Sequence, residues 1–214
     1  MKVASRIGLF GGSFDPPHLG HEALVRAALD QLKLDQVWVV PAGQPVHRNL
    51  SGHASAELRM AWAQEMFSDS PNICVKDWEV SQSEPVAAID TLKQFRDICP
   101  DTVPVWLCGA DSFATMEQWV DYPKHQKACN VAVFSRTGER AVKELSNWEC
   151  LSLEQWRLGN SIGPGHVIRI DADLPDISAT VVRNMAAEGK SLERLVNSRI
   201  CKEVESRYRV ESGE

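Results

Sequence analysis

The residues best suited to chemistry lie in one short segment, where Gly11, Gly12 and Ser13 precede two histidines, His18 and His21. A glycine and serine turn that leads into a helix presents free backbone N–H groups and the positive end of the helix dipole, which together bind phosphate. Such a turn alone more often only connects a strand to a helix. Two histidines three residues apart, however, project from the same face of a first helical turn. We therefore predict a phosphate site bordered by both imidazoles.

A second polar cluster lies near the end of the chain, at Ser178, Thr180 and Arg183. Ser178 is a good N-cap, and the hydroxyl and guanidinium that follow it on one helix could surround another phosphate position. An ordinary capped helix with a surface arginine would show the same pattern. Gly109 and Asp111 follow an apolar run, at a point where ligands gather in α/β sheets, although Asp111 could merely cap the next helix.

The elements that must position these residues follow an alternating pattern. Residues 7–10 form an apolar run that predicts a buried strand, residues 20–34 have helical apolar spacing, and residues 36–41 predict a second strand. Helix, strand, helix and strand are predicted next, over residues 54–67, 73–80, 86–98 and 103–108. Further strands are predicted at 131–134 and 167–170, and helices at 178–187 and 192–208. This alternation indicates a doubly wound, mainly parallel α/β sheet with its site at the strand C-termini.

Length and composition agree with one globular unit. A chain of 214 residues with 43% hydrophobic and 24% charged residues can close one substantial core, so we expect a single domain over residues 1–214. Residues 138–165 interrupt the alternation, and we interpret them as an elaboration of the sheet edge. The formal net charge of −6 argues against broad binding of a nucleic-acid polymer, which needs a positive surface.

The cysteine pattern and the hydropathy favour a cytoplasmic protein. The six cysteines contain no CxxC pair and no cluster with zinc-site spacing, so we expect reduced and mostly buried thiols. We find no secretory signal and no apolar run as long as a membrane-spanning helix, and therefore expect no membrane association.

The segment GGSFDPPHLGH at residues 11–21 resembles the HxGH signature of the nucleotidyltransferase superfamily, in the form found in bacterial nicotinate-nucleotide adenylyltransferases. The resemblance continues in the same order along nearly the whole chain, through residues 40–41, 45–48, 59, 90–92, 109–112, 119, 136 and 177–183. It implies a Rossmann-like nucleotidyltransferase fold. It also implies a reaction in which ATP and nicotinate mononucleotide give deamido-NAD and pyrophosphate, a step of NAD biosynthesis.

The resemblance also implies roles for individual residues. His18 and His21 would bind the triphosphate and stabilise charge on the reacting α-phosphate, with Arg183 as the third catalytic residue. The implied ATP contacts are Gly11, Gly12, Ser13, Phe14, Gly109, Asp111, Ser178, Thr180 and Arg183. The implied mononucleotide contacts are Ser13, His47, Arg48, Asp90, Thr91, Trp119 and Arg136. Mg²⁺ would arrive with ATP and shield the leaving pyrophosphate, and no metal site made by the protein is expected.

Several of these residues have plainer interpretations. Trp119 would stack on the pyridine ring, but a core or helix-face aromatic would serve equally well at that position. His47, Arg48 and Arg59 could be solvated loop charges instead of residues that approach the phosphates.

Two alternative functions remain open at this stage. A phosphopantetheine adenylyltransferase would share the glycine turn and the histidine pair, although residues 90–92 and 109–112 favour the pyridine-nucleotide branch. A nucleotide-sensing module could retain the fold without turnover. The histidines and the cluster at Ser178, Thr180 and Arg183 are all present, which counts against that second alternative.

Overall fold

The computed structural model describes residues 5–44, 53–136, 148–159 and 162–210. Within them, seven strands form one sheet in which all pairings are parallel. The strands are β1 (Ile7–Gly12), β2 (Gln36–Pro41), β3 (Ile73–Val75), β4 (Val105–Gly109), β5 (Asn130–Arg136), β6 (Glu149–Leu151) and β7 (His166–Ala172). Their order across the sheet is β3-β2-β1-β4-β5-β7-β6. The predicted doubly wound, parallel α/β fold is confirmed.

The helices of the described residues connect these strands. They are α1 (Leu19–Gln31), α2 (Ala56–Met66), α3 (Ala88–Ile98), α4 (Ala110–Ala114), α5 (Tyr122–His125), α6 (Leu153–Leu158), α7 (Ala179–Ala187) and α8 (Cys201–Tyr208), with a short 3-10 helix at Met116–Gln118. No helix in the described ranges combines the length and the apolar composition needed to cross a lipid bilayer.

Apolar side chains cover both faces of the sheet, as a parallel sheet requires. On one face, Phe10 and Val39 pack with Leu24 and Val25 of α1. Leu9 is among the strand residues that pack on the other face, where α3 covers the sheet. A third cluster joins α2, α7 and α8 beside the sheet. Burial on both faces explains why β1 and β2 appear in the sequence as nearly continuous apolar runs.

β1 lies at the point where the strand order reverses. It pairs with β2 on one side and with β4 on the other, so the chain builds the sheet outward in both directions from this centre. Crevices at the carboxyl ends of such strands are the usual ligand sites of open α/β sheets. The glycines that end β1 and β4, Gly12 and Gly109, therefore lie at the mouth of the expected crevice.

Two predicted elements are shorter than the sequence indicated. The strand expected over 73–80 ends at Val75, because residues 77–82 fold into turns with backbone hydrogen bonds from Ser81 to Asp77 and from Gln82 to Glu79. The helix expected over 192–208 begins only at Cys201. Upstream of it the backbone carbonyl of Leu195 accepts a hydrogen bond from the Leu19 N–H, so a tertiary contact replaces the helical one.

The described part of residues 138–165 contains two elements that the sequence did not indicate. β6 pairs with β7 at the edge of the sheet, and α6 packs Trp156 into the core beside α1, with its indole N–H donating to the Leu32 carbonyl at 2.8 Å. The short helices α4 and α5 were also not predicted, because four or five residues carry too little periodic signal.

Candidate active site

A cleft of about 770 Å³ opens at the carboxyl ends of β1 and β4. Many of the residues with predicted roles line it, namely Gly11, Gly12, Ser13, His18, His21, Gly109, Asp111, Trp119, Ser178 and Thr180. The fold thus brings together segments that lie up to 169 positions apart along the chain (11 to 180), as the resemblance implied.

The two histidines form a stacked pair at the start of α1. His18 is the N-cap residue and His21 lies in the first turn, with the ring centroids 3.6 Å apart and the ring planes 20° from parallel. The backbone N–H of His18 donates to Nδ1 of His21 at 3.1 Å. Because that Nδ1 accepts, the proton of a neutral His21 ring resides on Nε2. His21 is thereby fixed as a donor at Nε2.

Both imidazoles are neutral at pH 7 in this environment. Burial lowers the pKa of His18 to about 4. Burial, followed by the neighbouring His18 ring, holds the pKa of His21 well below its usual value. Each uncharged ring carries one N–H group, which can donate a hydrogen bond to a phosphate oxygen. Gly20 leaves room for this pair, since a Cβ at that position would lie 3.0 Å from Nδ1 of His18.

Phe14 packs against the His21 ring of this pair. Its ring is fully buried, and its centroid lies 4.9 Å from the His21 ring and 5.4 Å from the Phe10 ring. Phe14 adopts a positive φ of 49°, which ends the glycine turn and directs its ring into the core. The side chain does not line the cleft, so any ATP contact at Phe14 would come from its backbone.

A buried carboxylate, Asp15, connects the glycine turn to the rest of the site. Its side chain accepts hydrogen bonds from the Tyr208 hydroxyl at 2.5 Å, from the Ala54 N–H at 3.1 Å and from His53. Burial would raise the pKa of Asp15, but the hydrogen bonds from Tyr208, His53 and Ala54 outweigh it and hold the pKa below its usual value. Asp15 is therefore a charged, fully bonded centre and not a free general base.

Arg183 is bound to the same centre. Its Nη1 donates to the backbone carbonyl of Asp15 at 2.6 Å and lies 3.8 Å from the Asp15 carboxylate, while Nη2 donates to the Thr180 hydroxyl at 3.2 Å. The Ser178 hydroxyl caps α7 by accepting from the Val181 N–H. The guanidinium is thus partly buried and already bonded, unlike the surface arginine of the plainer interpretation, and it holds Thr180 at the edge of the cleft.

Arg59 is a buried structural residue and not a solvated loop charge. It is 1% exposed and donates to the backbone carbonyls of Ser13 at 2.5 Å, Gly43 at 2.6 Å and Ala54 at 3.3 Å. Three backbone carbonyls thereby share one buried guanidinium as their donor. Arg59 fixes the glycine turn from behind, where it cannot approach a phosphate in the cleft.

The side of the cleft near α3 has a different character. Val86, Ala87 and Ala88 line it, and α3 begins at this wall with no side chain capping it. The first N–H groups of a helix have no partner within the helix, so an uncapped N-terminus attracts an anion. Trp119 lies on the same side, where its ring packs against Trp106 with the centroids 6.0 Å apart.

Two predicted mononucleotide contacts do not face the cleft. Asp90 is exposed on α3 and pairs with Lys93 at 2.7 Å. Thr91 is fully buried and donates its hydroxyl to Oε1 of Glu79 at 2.6 Å. Arg136 ends β5, and His47 and Arg48 lie outside the described residues.

The sequence analysis missed Glu79, which lines the cleft and is 7% exposed. Burial raises its pKa to about 7, opposed by the Thr91 hydrogen bond and by the charge of Arg59. The signal that could have revealed it is a carboxylate inside the apolar run Trp78-Glu79-Val80. An acidic residue within a run expected to be buried needs a compensating partner.

The cytidylyltransferase-like family model matches residues 9–185. A probable nicotinate-nucleotide adenylyltransferase of Chromobacterium violaceum is 31% identical over 198 residues, covering 90% of this chain and 92% of that protein. A protein of Neisseria meningitidis with the same name is 33% identical over 190 residues, covering 87% and 90% of the two chains.

Among solved structures, Plasmodium falciparum nicotinic acid mononucleotide adenylyltransferase complexed with NaAD superposes with a TM-score of 0.73. The alignment covers 97% of this chain and 100% of that one at 17% identity, so it establishes similarity of fold. The same enzyme complexed with APC gives a TM-score of 0.71.

Replacing Asp15 should destabilise the protein. In Asp15→Asn an amide group would face donors, so we expect the free energy of unfolding at pH 7 to fall by about 2–4 kcal/mol. Tyr208→Phe, which removes the hydroxyl that donates to Asp15, should lose only about 1 kcal/mol. Urea unfolding of both variants measures the difference.

The stabilisation contributed by Asp15 should decrease as the pH falls. Since the pKa of Asp15 is lowered below its ordinary 3.8, the stability it contributes is present above that value and is lost as the pH falls through the folded-state pKa. The difference in unfolding free energy between the parent and Asp15→Asn should become smaller below about pH 4. If Asp15→Asn lost no more unfolding free energy at pH 7 than Tyr208→Phe, the central role of this carboxylate would be contradicted.

Proposed function

The chain belongs to the cytidylyltransferase-like family and, within it, to the nicotinate-nucleotide adenylyltransferases, and we propose that the cleft at β1 and β4 performs the reaction of that group. ATP and nicotinate mononucleotide give deamido-NAD and pyrophosphate, a step of NAD biosynthesis. The observation that carries this assignment is the stacked, neutral pair of His18 and His21 at a glycine turn, in one cleft with the uncapped start of α3.

The triphosphate of ATP occupies the side of the cleft formed by the glycine turn, α1 and α7. Gly12, Ser13, the first residues of α1 and Thr180 line this side, and the positive end of the α1 dipole favours an anion there. Arg183 adds a positive charge behind Thr180. The adenosine follows the end of β4, where Gly109 brings the backbone close and Asp111 offers a carboxylate to the ribose hydroxyls.

The chemistry is a direct displacement at phosphorus. A phosphate oxygen of the mononucleotide attacks the α-phosphorus of ATP, the bond between the α-phosphorus and the bridging oxygen breaks, and pyrophosphate departs with that oxygen and its electron pair. Alignment and stabilisation of developing negative charge are needed more than a protein nucleophile. The N–H at Nε2 of His21 is the fixed donor for this charge, and His18 stacks on it to hold its orientation.

Magnesium enters as the counter-ion of ATP. No group of three or more potential metal-ligating side chains occurs among the described residues, and Mg²⁺ is commonly held by one or two carboxylates together with substrate phosphates. We therefore assign Mg²⁺ to the MgATP substrate, where it supplies charge neutralisation at the leaving pyrophosphate.

The pyridine ring occupies the side formed by α3 and Trp119. A ring carboxylate would accept hydrogen bonds from the free N–H groups of the first turn of α3, whereas the NH₂ group of an amide would set donors against donors. This arrangement favours nicotinate mononucleotide over its amide. Trp119 offers a flat apolar surface to either ring.

We also infer a cytoplasmic location and no nucleic-acid partner. The six free cysteines are consistent with a reducing compartment, and the net charge of −6 opposes binding to a polyanion.

A substrate panel tests the proposed function. Pyrophosphate release is measured with MgATP alone and with added nicotinate mononucleotide, nicotinamide mononucleotide or phosphopantetheine. We expect the largest kcat/KM for nicotinate mononucleotide. Preference for phosphopantetheine would support the alternative adenylyltransferase, and ATP binding without release under all conditions would support a sensing module.

Removing the imidazole of His21 should slow the chemical step. For His21→Ala we expect kcat to fall by roughly 100- to 1,000-fold, as is usual when a preorganised donor to a developing charge is lost. His18→Ala should in addition weaken ATP binding measured by calorimetry. The control is His166→Ala, at the opposite end of the sheet where β7 begins, which should keep kcat near that of the parent. Equal turnover by His21→Ala and parent would refute the assignment.

Replacing Arg183 should impair both ATP use and stability. Because the guanidinium also bonds the Asp15 carbonyl, Arg183→Ala should lose about 1–2 kcal/mol of unfolding free energy as well as raise KM for ATP. Steady-state kinetics and urea unfolding measure the two effects. Arg194→Ala, at an exposed arginine, should change neither. A loss of stability with an unchanged KM for ATP would leave Arg183 with a purely structural role.

Replacing Trp119 by a smaller residue should weaken the binding of both mononucleotides to a similar extent. Stacking contributes affinity without distinguishing acid from amide, so Trp119→Ala should raise KM for both substrates and leave most of their kcat/KM ratio intact. Trp119→Phe, which keeps an aromatic surface, should show a smaller rise. A large change in the ratio would mean that Trp119 itself selects the ring substituent.

A further inference from the structure

Glu79 is a buried carboxyl in the wall of the cleft for which the reaction above has no use. The backbone carbonyl oxygen of Glu79 packs against Gly43, and a Cβ added at Gly43 would lie 2.1 Å from this oxygen. The backbone at Glu79 is therefore held against the loop after β2. Its Oε1 accepts the Thr91 hydroxyl at 2.6 Å. Both ends of the residue are therefore fixed, and the carboxyl keeps a defined position relative to the cleft.

This position is close to the start of α3. Thr91 is the fourth residue of α3, and its N–H returns to the Ala87 carbonyl, so the Glu79 carboxyl lies beside the first helical turn. One turn of helix rises by about 5.4 Å. Under the proposed function, the ring substituent binds the free N–H groups at the start of α3. These groups lie within about 5–11 Å of Glu79, the rise of one or two helical turns.

The groups facing Glu79 leave its charge state open to the solution pH. From α3 the facing side chain is the neutral Thr91, and from α2 the charge of Arg59 acts on it while the Arg59 guanidinium itself bonds backbone carbonyls. Asp77 in the same turn is exposed, and Asp111 also lines the cleft. Burial places the pKa of Glu79 at about 7.

We propose that Glu79 determines how strongly the enzyme prefers the acid mononucleotide: as a neutral carboxyl it admits the ring carboxylate at α3, and as a carboxylate it repels that group. The uncharged amide experiences no such repulsion. This inference rests on the proposed placement of the pyridine ring between α3 and Trp119. Glu79 is a specificity-determining residue in this account, and it takes no part in bond making or breaking.

The sign of the effect follows from the two charges. As the pH rises through about 7, Glu79 ionises and kcat/KM for the acid falls relative to kcat/KM for the amide. Two like charges separated by one or two helical turns in a partly solvated cleft are expected to change the ratio by about tenfold. Titration of the histidines, of ATP and of the mononucleotide phosphate affects both substrates and largely cancels in the ratio.

The experiment measures kcat/KM for nicotinate mononucleotide and for nicotinamide mononucleotide between pH 6 and pH 8.5, at constant MgATP and ionic strength. The parent should show an acid-to-amide ratio that falls by about tenfold with a midpoint near pH 7. Glu79→Gln, which keeps the shape and the acceptor for Thr91 but cannot ionise, should give a nearly constant ratio. Glu84→Gln, at an exposed carboxyl downstream in the same loop, should behave like the parent.

The outcomes separate this inference from the proposed function. A constant ratio in the parent overturns the role of Glu79, and this measurement needs no variant to fold. A ratio that still falls in Glu79→Gln assigns the effect to another group and also overturns it. Absence of adenylyl transfer to either mononucleotide at every pH would instead overturn the proposed function.

Discussion

Asp15 is a buried carboxylate surrounded by donors from separate parts of the chain. Tyr208 reaches it from α8, Ala54 and His53 from the segment before α2, and Arg183 bonds its carbonyl from α7. A buried charge must be compensated, so these segments are held together by one electrostatic requirement. The glycine turn that precedes Asp15 and the helix that carries Thr180 are thereby fixed relative to each other, which gives the cleft its shape.

The two histidines that we propose as catalytic are positioned by their contacts with each other. His18 is buried and His21 is half-buried in the cleft wall, both rings are neutral, and the backbone N–H of His18 fixes the tautomer of His21. The positive charge of the site resides in Arg183 and in helix N-termini, while the histidines supply uncharged N–H donors with a fixed orientation. A preorganised neutral donor needs no reorganisation when charge develops on the α-phosphate, which is how such sites accelerate transfer.

The sequence was informative wherever the signal is local. The alternation of strands and helices predicted the parallel sheet, and the spacing of His18 and His21 predicted that their rings would share one side. The role of Arg59 depends on carbonyls as far as 46 positions away, which residue spacing does not indicate. Glu79 left a local signal, an acidic residue inside an apolar run, but its partner Thr91 could not be derived from it. A distant contact also explains residues 192–200, whose apolar pattern indicated helix but in which the Leu195 carbonyl accepts a hydrogen bond from the Leu19 N–H at the start of α1.

In the proposed binding mode, the stacked histidines contact the bridging phosphates of a single dinucleotide and the start of α3 contacts its pyridine ring. A crystal structure of the protein with bound deamido-NAD tests it most directly. We expect an oxygen of the adenylyl phosphate within roughly 3 Å of Nε2 of His21, and the ring carboxylate against the first N–H groups of α3. A phosphate beyond hydrogen-bond reach of both imidazoles, or a ring bound away from α3 and Trp119, would contradict the account.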